Sequence, residues 1–187
     1  MGTADMNTRM DTTPCIHRSD HLHLAALVST VGCSRIFVRQ VCTSWQVDQE
    51  HTDVAELLAS ELVSNAIAAN GVTGPRPVHG SLYSDLTLIG MRLLDLGNSM
   101  VIEVWDTSPQ LPKLIEPSLD AEHGRGLQLV NALSIRWGHY HTHLSGKVVW
   151  CQLAFNADVP EGDSDASPEA FQRVLEILQA HPWDEHA

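Results

Sequence analysis

The sequence lacks the features of a secreted or membrane-spanning protein. No apolar run approaches the ~20 residues that a membrane-spanning helix needs. The first residues do not have the basic and then apolar order of a secretory signal, so we expect a cytoplasmic protein with no membrane partner. The four cysteines are scattered and form no Cys-x-x-Cys pair, which favours reduced thiols.

Basic residues are also scarce. Lysine and arginine number 11 against 23 aspartates and glutamates, and the formal net charge is −12. A surface with this charge repels phosphate backbones, so we expect no direct binding of nucleic acid and favour a protein partner. The acidic residues are concentrated at residues 158–165, which predicts a solvated linker there.

The 187 residues suffice for one domain with a substantial core and some tail. Residues 1–19 are polar and unpatterned, and we expect them to be disordered. Residues 20–156 carry the periodic patterns and form the predicted domain. Residues 157–166 form the acidic linker, and residues 167–187 a C-terminal helix and tail that either packs on the domain or docks a partner.

Helical spacing predicts the first two elements. One helix is expected from Ser34, a good N-cap, and a second from a capping box formed by Asp53 and Glu56. The second helix is expected to stop at Asn70-Gly71. Further helices are predicted after the segment His123-Gly-Arg-Gly-Leu and after Ser167-Pro.

Alternating apolar residues predict two hairpins, over residues 86–106 and 135–155, with turns at Gly97-Asn98 and Ser145-Gly146. Residues 107–122 contain three prolines and form a loop too long to be a mere connection. The order of elements predicts an α+β fold, a two-layer sandwich of helices on a mixed β-sheet.

Two polar residues interrupt the apolar face of the second helix. Glu61 and Asn65 fall four residues apart within a stripe expected to be buried. A desolvated carboxylate or amide costs several kcal/mol unless it is paired. One interpretation is that Glu61 pairs with a core arginine and Asn65 caps a strand. The other is a ligand, with the Asn65 oxygen binding Mg²⁺ and Glu61 taking a proton from a hydroxyl or water.

Two further features point to a nucleotide. Asp106 ends a predicted strand just before the long loop, and a buried carboxylate there can accept the exocyclic amine of adenine. Gly124-Arg-Gly126 lies where that loop meets a helix, so the backbone can approach phosphate at a helix N-terminus. Each feature is weak alone. Their order after Glu61 and Asn65 makes the combination specific.

These segments resemble a known family. Glu61-Leu-Val-Ser-Asn-Ala-Ile is similar to the N-box, Val104-Trp-Asp-Thr-Ser-Pro to the G1 box, and His123-Gly-Arg-Gly-Leu to the G2 box of the histidine-kinase-like ATPases with the Bergerat fold. The anti-sigma-factor serine kinases and the short actinobacterial ATP-binding regulators resemble the chain most. The similarity runs over residues 34–155, although Thr107-Ser-Pro stands where histidine kinases carry Gly-x-Gly.

The resemblance implies that ATP and Mg²⁺ bind between these motifs, with residues 107–122 as a lid. Glu61 would be the catalytic base and Asn65 the Mg²⁺ ligand. The implied nucleotide-binding residues are Asn65, Asp106, Ser108, Pro109, Gly124, Arg125, Gly126 and Leu127.

The resemblance also implies partners. We expect a serine/threonine-protein kinase that acts on a STAS-type anti-sigma-factor antagonist and binds a sigma factor, and we expect a homodimer. The alternative is a non-catalytic regulator that binds ATP or captures a partner without phosphoryl transfer. No segment resembles the phospho-accepting histidine helix of a sensor kinase, so that class is not expected.

Some features have a simpler interpretation. His139, His141 and His143 alternate on one predicted strand face, but no cysteine or carboxylate lies among them, which favours a solvated face over a metal site. Lys147 is placed to approach a phosphate, yet a lysine at the start of a strand is usually solvated. Asn70 stands where many relatives have a histidine, which puts one surface contact in doubt.

Overall fold

The computed structural model of the chain describes residues 15–70, 87–112, 125–143, 145–155 and 167–183. The strands are β1 (Arg18–Ala25), β2 (Leu88–Asp95), β3 (Ser99–Asp106), β4 (Arg136–His141) and β5 (Lys147–Ala154), and the helices are α1 (Val31–Trp45), α2 (Gln49–Ala69), α3 (Arg125–Leu133) and α4 (Pro168–Ala180). In this part of the chain, the order of these elements is β1, α1, α2, β2, β3, α3, β4, β5, α4.

The described strands form one sheet in the order β1-β2-β3-β5-β4, and every pair is antiparallel. The α+β class predicted from the sequence is therefore confirmed, but the sheet is antiparallel where a mixed sheet was expected. Both hairpins are present with the predicted turns, and Gly97 and Gly146 have φ of +92° and +86°. Such tight turns join only antiparallel strands, so both hairpins are antiparallel. The pairs β1–β2 and β3–β5, which no tight turn connects, are antiparallel as well.

Strand β1 was not predicted, because residues up to Ser19 were expected to be disordered. Arg18 and Ser19 belong to this strand, whereas residues 1–14 lie outside the described part. The strand lies at the edge of the sheet, and its alternating side chains are mostly polar. Arg18 anchors it through a 2.6 Å ion pair with Asp95 on β2. An edge strand of this composition has little apolar signal in its sequence.

Two helix starts differ from the prediction. Helix α1 begins at Val31, so Ser34 lies inside the helix and is not its N-cap. Its Oγ donates to the carbonyl of Val31 at 2.8 Å. Helix α2 begins at Gln49, and its N-cap is Asp48, which accepts from the His51 amide at 3.0 Å. The capping box predicted at Asp53 is therefore wrong, whereas the end of α2 next to Asn70 is as expected.

The main core lies between the sheet and helices α1, α2 and α3. Leu58 and Leu62 of α2 are fully buried against Ile102 of β3 and Cys151 of β5, and Val38 of α1 completes the layer. Burial raises the pKa of the Cys151 thiol to about 12, so this cysteine stays protonated and inert. None of the described helices is both long and apolar enough to cross a membrane.

A second, smaller core covers the opposite face of the sheet. Helix α4 begins as predicted, with Ser167 accepting from the Ala170 amide at 3.1 Å. Its apolar side and the following Trp183 pack on the sheet, and the members of this core are Leu94, Leu96, Val101, Tyr140, Val148, Trp150, Val174, Leu178 and Trp183. The C-terminal helix thus packs on the domain, and the predicted two layers gain a partial third.

A polar cluster is buried beneath α4. Arg92 of β2 forms a 2.6 Å ion pair with Glu103 of β3, and the Tyr140 hydroxyl donates to the same carboxylate at 2.8 Å. Arg92 also donates to the carbonyl of His181 at 2.8 Å and lies 5.0 Å from the centre of the Trp183 ring. Burial raises the pKa of Glu103, and the Arg92 guanidinium opposes that rise. The cluster therefore ties the end of α4 to the middle of the sheet.

Candidate functional site

Helix α2 carries polar residues that are half-buried and others that are fully buried. Glu61 and Asn65 are half-buried at the margin of its packed face, and Leu57, one turn before Glu61, is exposed. The prediction that they lie inside the apolar stripe is therefore corrected. The buried polar residues of this helix are Thr52, whose hydroxyl donates to the Asp48 carbonyl at 2.7 Å, and Glu56 and Ser60.

Two arginines of α1 satisfy Glu56 and Ser60. Arg39 donates to the Glu56 carboxylate at 2.7 and 2.8 Å, and Arg35 donates to Ser60 Oγ at 2.9 Å. The arginine partner proposed for Glu61 is thus found at Glu56, one turn earlier. The structural ion pair that was one interpretation of Glu61 is therefore formed by Glu56, and Glu61 is available for another role.

Glu61 lies against the glycine turn that begins α3. A Cβ built at Gly126 would lie 3.4 Å from Glu61 Cδ and would overlap Oε2. Only a residue without a side chain leaves room for the carboxylate at this position. The structure thus brings together Glu61 and Gly126, which are 65 positions apart in the sequence.

The Asn65 amide lies one turn further along α2. Its Nδ2 atom is buried and has no hydrogen-bond partner among the described residues. A buried amide of this kind costs about 1–3 kcal/mol when it is left unpaired. Asn65 therefore retains unused capacity for a ligand on the face of α2 that also carries Glu61.

Asp106 ends β3 and is almost completely buried, with 1% of its surface exposed. Its Oδ1 atom accepts from Lys147 Nζ and from the Ser108 amide, both at 2.8 Å. Its Oδ2 atom is buried and has no partner in the described part of the chain. Burial raises the pKa of Asp106, whereas the hydrogen bond and charge of Lys147 lower it. The site thus holds one acceptor atom without a donor.

Lys147 is a buried residue of the candidate site that sequence reasoning did not select. It was expected to be solvated, but it is 2% exposed and its ammonium contacts Asp106 and, at 3.3 Å, the carbonyl of Ser108. Asp106 and Lys147 are direct cross-strand partners in the β3–β5 register. These strands are not consecutive in the chain, so the pairing follows only from the order of strands in the sheet.

The turn before β5 fixes the position of Lys147. Gly146 has a left-handed φ, and a Cβ there would overlap the carbonyl of Asp106 and lie 3.0 Å from Thr107 Cα. The turn therefore packs directly on the backbone that follows β3. Any larger residue at Gly146 would push the lysine away from Asp106.

Helix α2 and the strand β3 end at the same place. The Thr107 hydroxyl donates to Asn70 Oδ1 at 2.9 Å, and Asn70 Nδ2 donates to the Ala66 carbonyl at 2.6 Å. Asn70, whose contact was in doubt, thus joins the end of the helix that carries Glu61 to the residue that follows Asp106. The candidate site is held at this junction.

The other predicted residues are placed only in part. Ser108 is buried, Pro109 is exposed, and Leu127 is buried on α3, which begins at Arg125. Gly124 lies outside the described residues, as do positions 113–122 of the predicted lid.

The histidines of β4 are exposed. His139 and His141 lie on the strand and His143 follows it. In the described ranges, no group of three histidine, cysteine, aspartate or glutamate side chains is arranged to hold a metal ion.

Comparison with known proteins gives a family match and a structural similarity. The sequence matches the family model of the histidine kinase-like ATPase domain over residues 24–153. Among solved structures, it is similar to the crystal structure of the RsbU and RsbW domains of Rv1364c from Mycobacterium tuberculosis, with a TM-score of 0.47 and 16% identity over 73% of this chain. The match spans about a third (32%) of that longer chain. No curated protein matches the sequence.

Proposed function

The chain belongs to the histidine kinase-like ATPase domain family, and from this premise we propose that it is an ATP-binding regulator that phosphorylates a STAS-type anti-sigma-factor antagonist. The observation that carries the proposal is Asp106, whose buried Oδ2 atom has no donor among the described residues. An adenine amine supplies that donor. The motif resemblance of the flanking segments supports the anti-sigma class and a sigma factor as second partner.

The residues present fit a magnesium nucleotide. Asp106 would hold the adenine, and the N-terminal turn of α3 with Gly126 would lie at the phosphates, since helix N-termini offer unpaired N–H groups. The Asn65 side chain would hold Mg²⁺ through its oxygen. Its buried Nδ2 atom, which has no partner among the described residues, is a donor and would fit a phosphate oxygen. When bound, the ion neutralises charge on the phosphate oxygens. Asn65 and Asp106 lie on α2 and β3, which pack together.

Glu61 supports phosphoryl transfer over ATP binding alone. Its carboxylate lies at the glycine turn of α3, where the terminal phosphate is expected, and it has no ion pair among the described residues. A carboxylate at that position can accept the proton of an attacking serine hydroxyl. A regulator that only captured partners would have no need of a half-buried carboxylate at a phosphate turn.

The proposal predicts phosphate incorporation into a STAS protein. The purified chain is incubated with Mg-ATP and each STAS-domain protein of its host, and the modified residue is identified by mass spectrometry. We expect one serine or threonine to gain a phosphate, and Glu61→Gln to serve as the inactive control. Stable capture of a partner with no phosphate on any STAS protein would contradict the kinase and support the partner-capture alternative.

ATP affinity should depend on Asp106. We expect Mg-dependent binding of ATP with clear preference over GTP, because the 6-amine of adenine donates to the free Oδ2 atom, whereas guanine has an acceptor oxygen at that position. Asp106→Ala should weaken ATP binding by about 1–3 kcal/mol, measured by calorimetry. Asp106→Asn is the matched control for folding, because its amide oxygen can still accept from Lys147. Equal affinity of the parent protein for ATP and GTP would show that this assignment is wrong.

A further inference from the structure

We propose that Lys147 donates a hydrogen bond to N1 of the adenine ring and is, with Asp106, the residue that selects adenine over guanine. The inference rests on the proposed ATP site and assigns it a second base-recognising side chain. Lys147 then acts on the ligand directly, and not only as a structural partner of Asp106.

The first argument is the donor capacity of the lysine. An ammonium group has three N–H donors. Among the described residues, two acceptors surround Lys147 Nζ, namely Asp106 Oδ1 at 2.8 Å and the Ser108 carbonyl at 3.3 Å. One donor therefore remains, next to the Asp106 carboxylate whose Oδ2 atom also lacks a partner. The pair presents one free donor beside one free acceptor.

The second argument is the edge of the purine. Adenine presents an amine donor at C6 and an acceptor at N1, which complement a carboxylate oxygen and an ammonium hydrogen. Guanine presents the opposite pattern, an acceptor at O6 and an N–H donor at N1. Against Asp106 Oδ2 and Lys147 Nζ, guanine would place acceptor against acceptor and donor against donor. Unpaired polar groups of this kind produce strong discrimination.

The third argument is that Lys147 prevents a two-point contact between the Asp106 carboxylate and guanine. A carboxylate with two free oxygens can accept two N–H groups, and the guanine edge offers such a pair at N1 and the 2-amine. Here Oδ1 of Asp106 is already occupied by Lys147 and the Ser108 amide. With a single oxygen left, the two-point contact to guanine is lost. The lysine thus disfavours guanine in two separate ways.

The experiment compares ATP with 1-deaza-ATP, in which N1 is replaced by C–H and the 6-amine is kept. Dissociation constants are measured by calorimetry for the parent protein, for Lys147→Met, and for the neutral pair Asp106→Asn/Lys147→Met. In the parent protein we expect 1-deaza-ATP to bind about ten-fold or more weakly than ATP, as for a hydrogen bond from a charged donor. In Lys147→Met the two nucleotides should bind equally.

The outcomes separate this inference from the proposed function. If the parent protein binds ATP and 1-deaza-ATP equally, the role of Lys147 is overturned and the ATP site stands. If it binds neither nucleotide, the ATP site itself is wrong and this inference falls with it. If Lys147→Met does not fold, the neutral pair Asp106→Asn/Lys147→Met makes the same comparison without an unpaired buried charge. A preference for ATP over 1-deaza-ATP that persists in this pair would overturn the role of Lys147.

Discussion

Glu61→Gln is expected to lower phosphoryl transfer to a STAS partner by about 10²-fold or more and to leave ATP affinity unchanged. The substitution keeps the size of the side chain and removes the proton-accepting carboxylate beside Gly126. Single-turnover transfer and calorimetric ATP binding measure the two effects separately. Asn65→Ala is the informative contrast, since loss of a Mg²⁺ ligand should weaken Mg-dependent binding as well.

Gly126→Ala provides a second route to the same test. Its Cβ would occupy the space of the Glu61 carboxylate, which must move, while Glu61 itself stays intact. The collision involves only the end of a flexible side chain, and alanine favours a helix, so the fold should be retained. Transfer should fall nonetheless. Gly32→Ala on α1 is the matched control, because nothing lies within 4 Å of its added methyl group.

Either result can fail in an instructive way. Full transfer by both Glu61→Gln and Gly126→Ala would remove Glu61 as the base. Loss of transfer in Gly32→Ala would show that the assay responds to general changes in the helices and not to the site. Wild-type regulation in cells by Glu61→Gln would favour the partner-capture alternative.

Arg92→Met should destabilise the protein by about 3–5 kcal/mol. The substitution removes the guanidinium that pairs with Glu103, and it leaves a fully buried carboxylate whose pKa burial already raises. It also removes the hydrogen bond to the His181 carbonyl that holds the end of α4. Urea unfolding at neutral pH, followed by circular dichroism, measures the change in free energy of unfolding.

Two variants control this prediction. Tyr140→Phe removes a single hydrogen bond to Glu103 and should cost only about 1 kcal/mol. Arg92→Met/Glu103→Gln removes both charges and should recover much of the stability lost by Arg92→Met alone. A double variant as unstable as the single one would mean that the lost packing on Trp183, and not the unpaired charge, dominates.

The sequence predicted those parts of the fold that depend on local chemistry. Both hairpin turns were placed correctly because tight turns require left-handed backbone, and Gly97 and Gly146 provide it. The start of α4 followed from Ser167 and Pro168. Strand β1 escaped prediction because an edge strand with one exposed face needs few apolar residues. Its pairing partner lies more than 70 residues away, since Arg18 faces Asp95.

The candidate site shows the same difference between features set by local sequence and features set by distant contacts. Asp106 and Gly126 could be selected as candidates because a strand end and a helix start have recognisable local patterns. The sequence assigned Glu56 to a capping box and offered an arginine partner for Glu61. Only the position of Arg39 on α1 shows that Glu56 is the residue in the ion pair. Lys147 was missed because its contact with Asp106 joins two strands that a helix and another strand separate in the chain.

The place of α4 in the chain has a consequence for synthesis on the ribosome. The helix follows every strand that it covers, so the face with Leu94 and Trp150 is complete before its cover has been made. A nascent sheet with a bare apolar face is prone to aggregate. Arg92 and Glu103 lie in the middle of that face, so without α4 both charges would be open to water. We therefore expect the ion pair to act as a charged interruption of that apolar face while the chain is being synthesised.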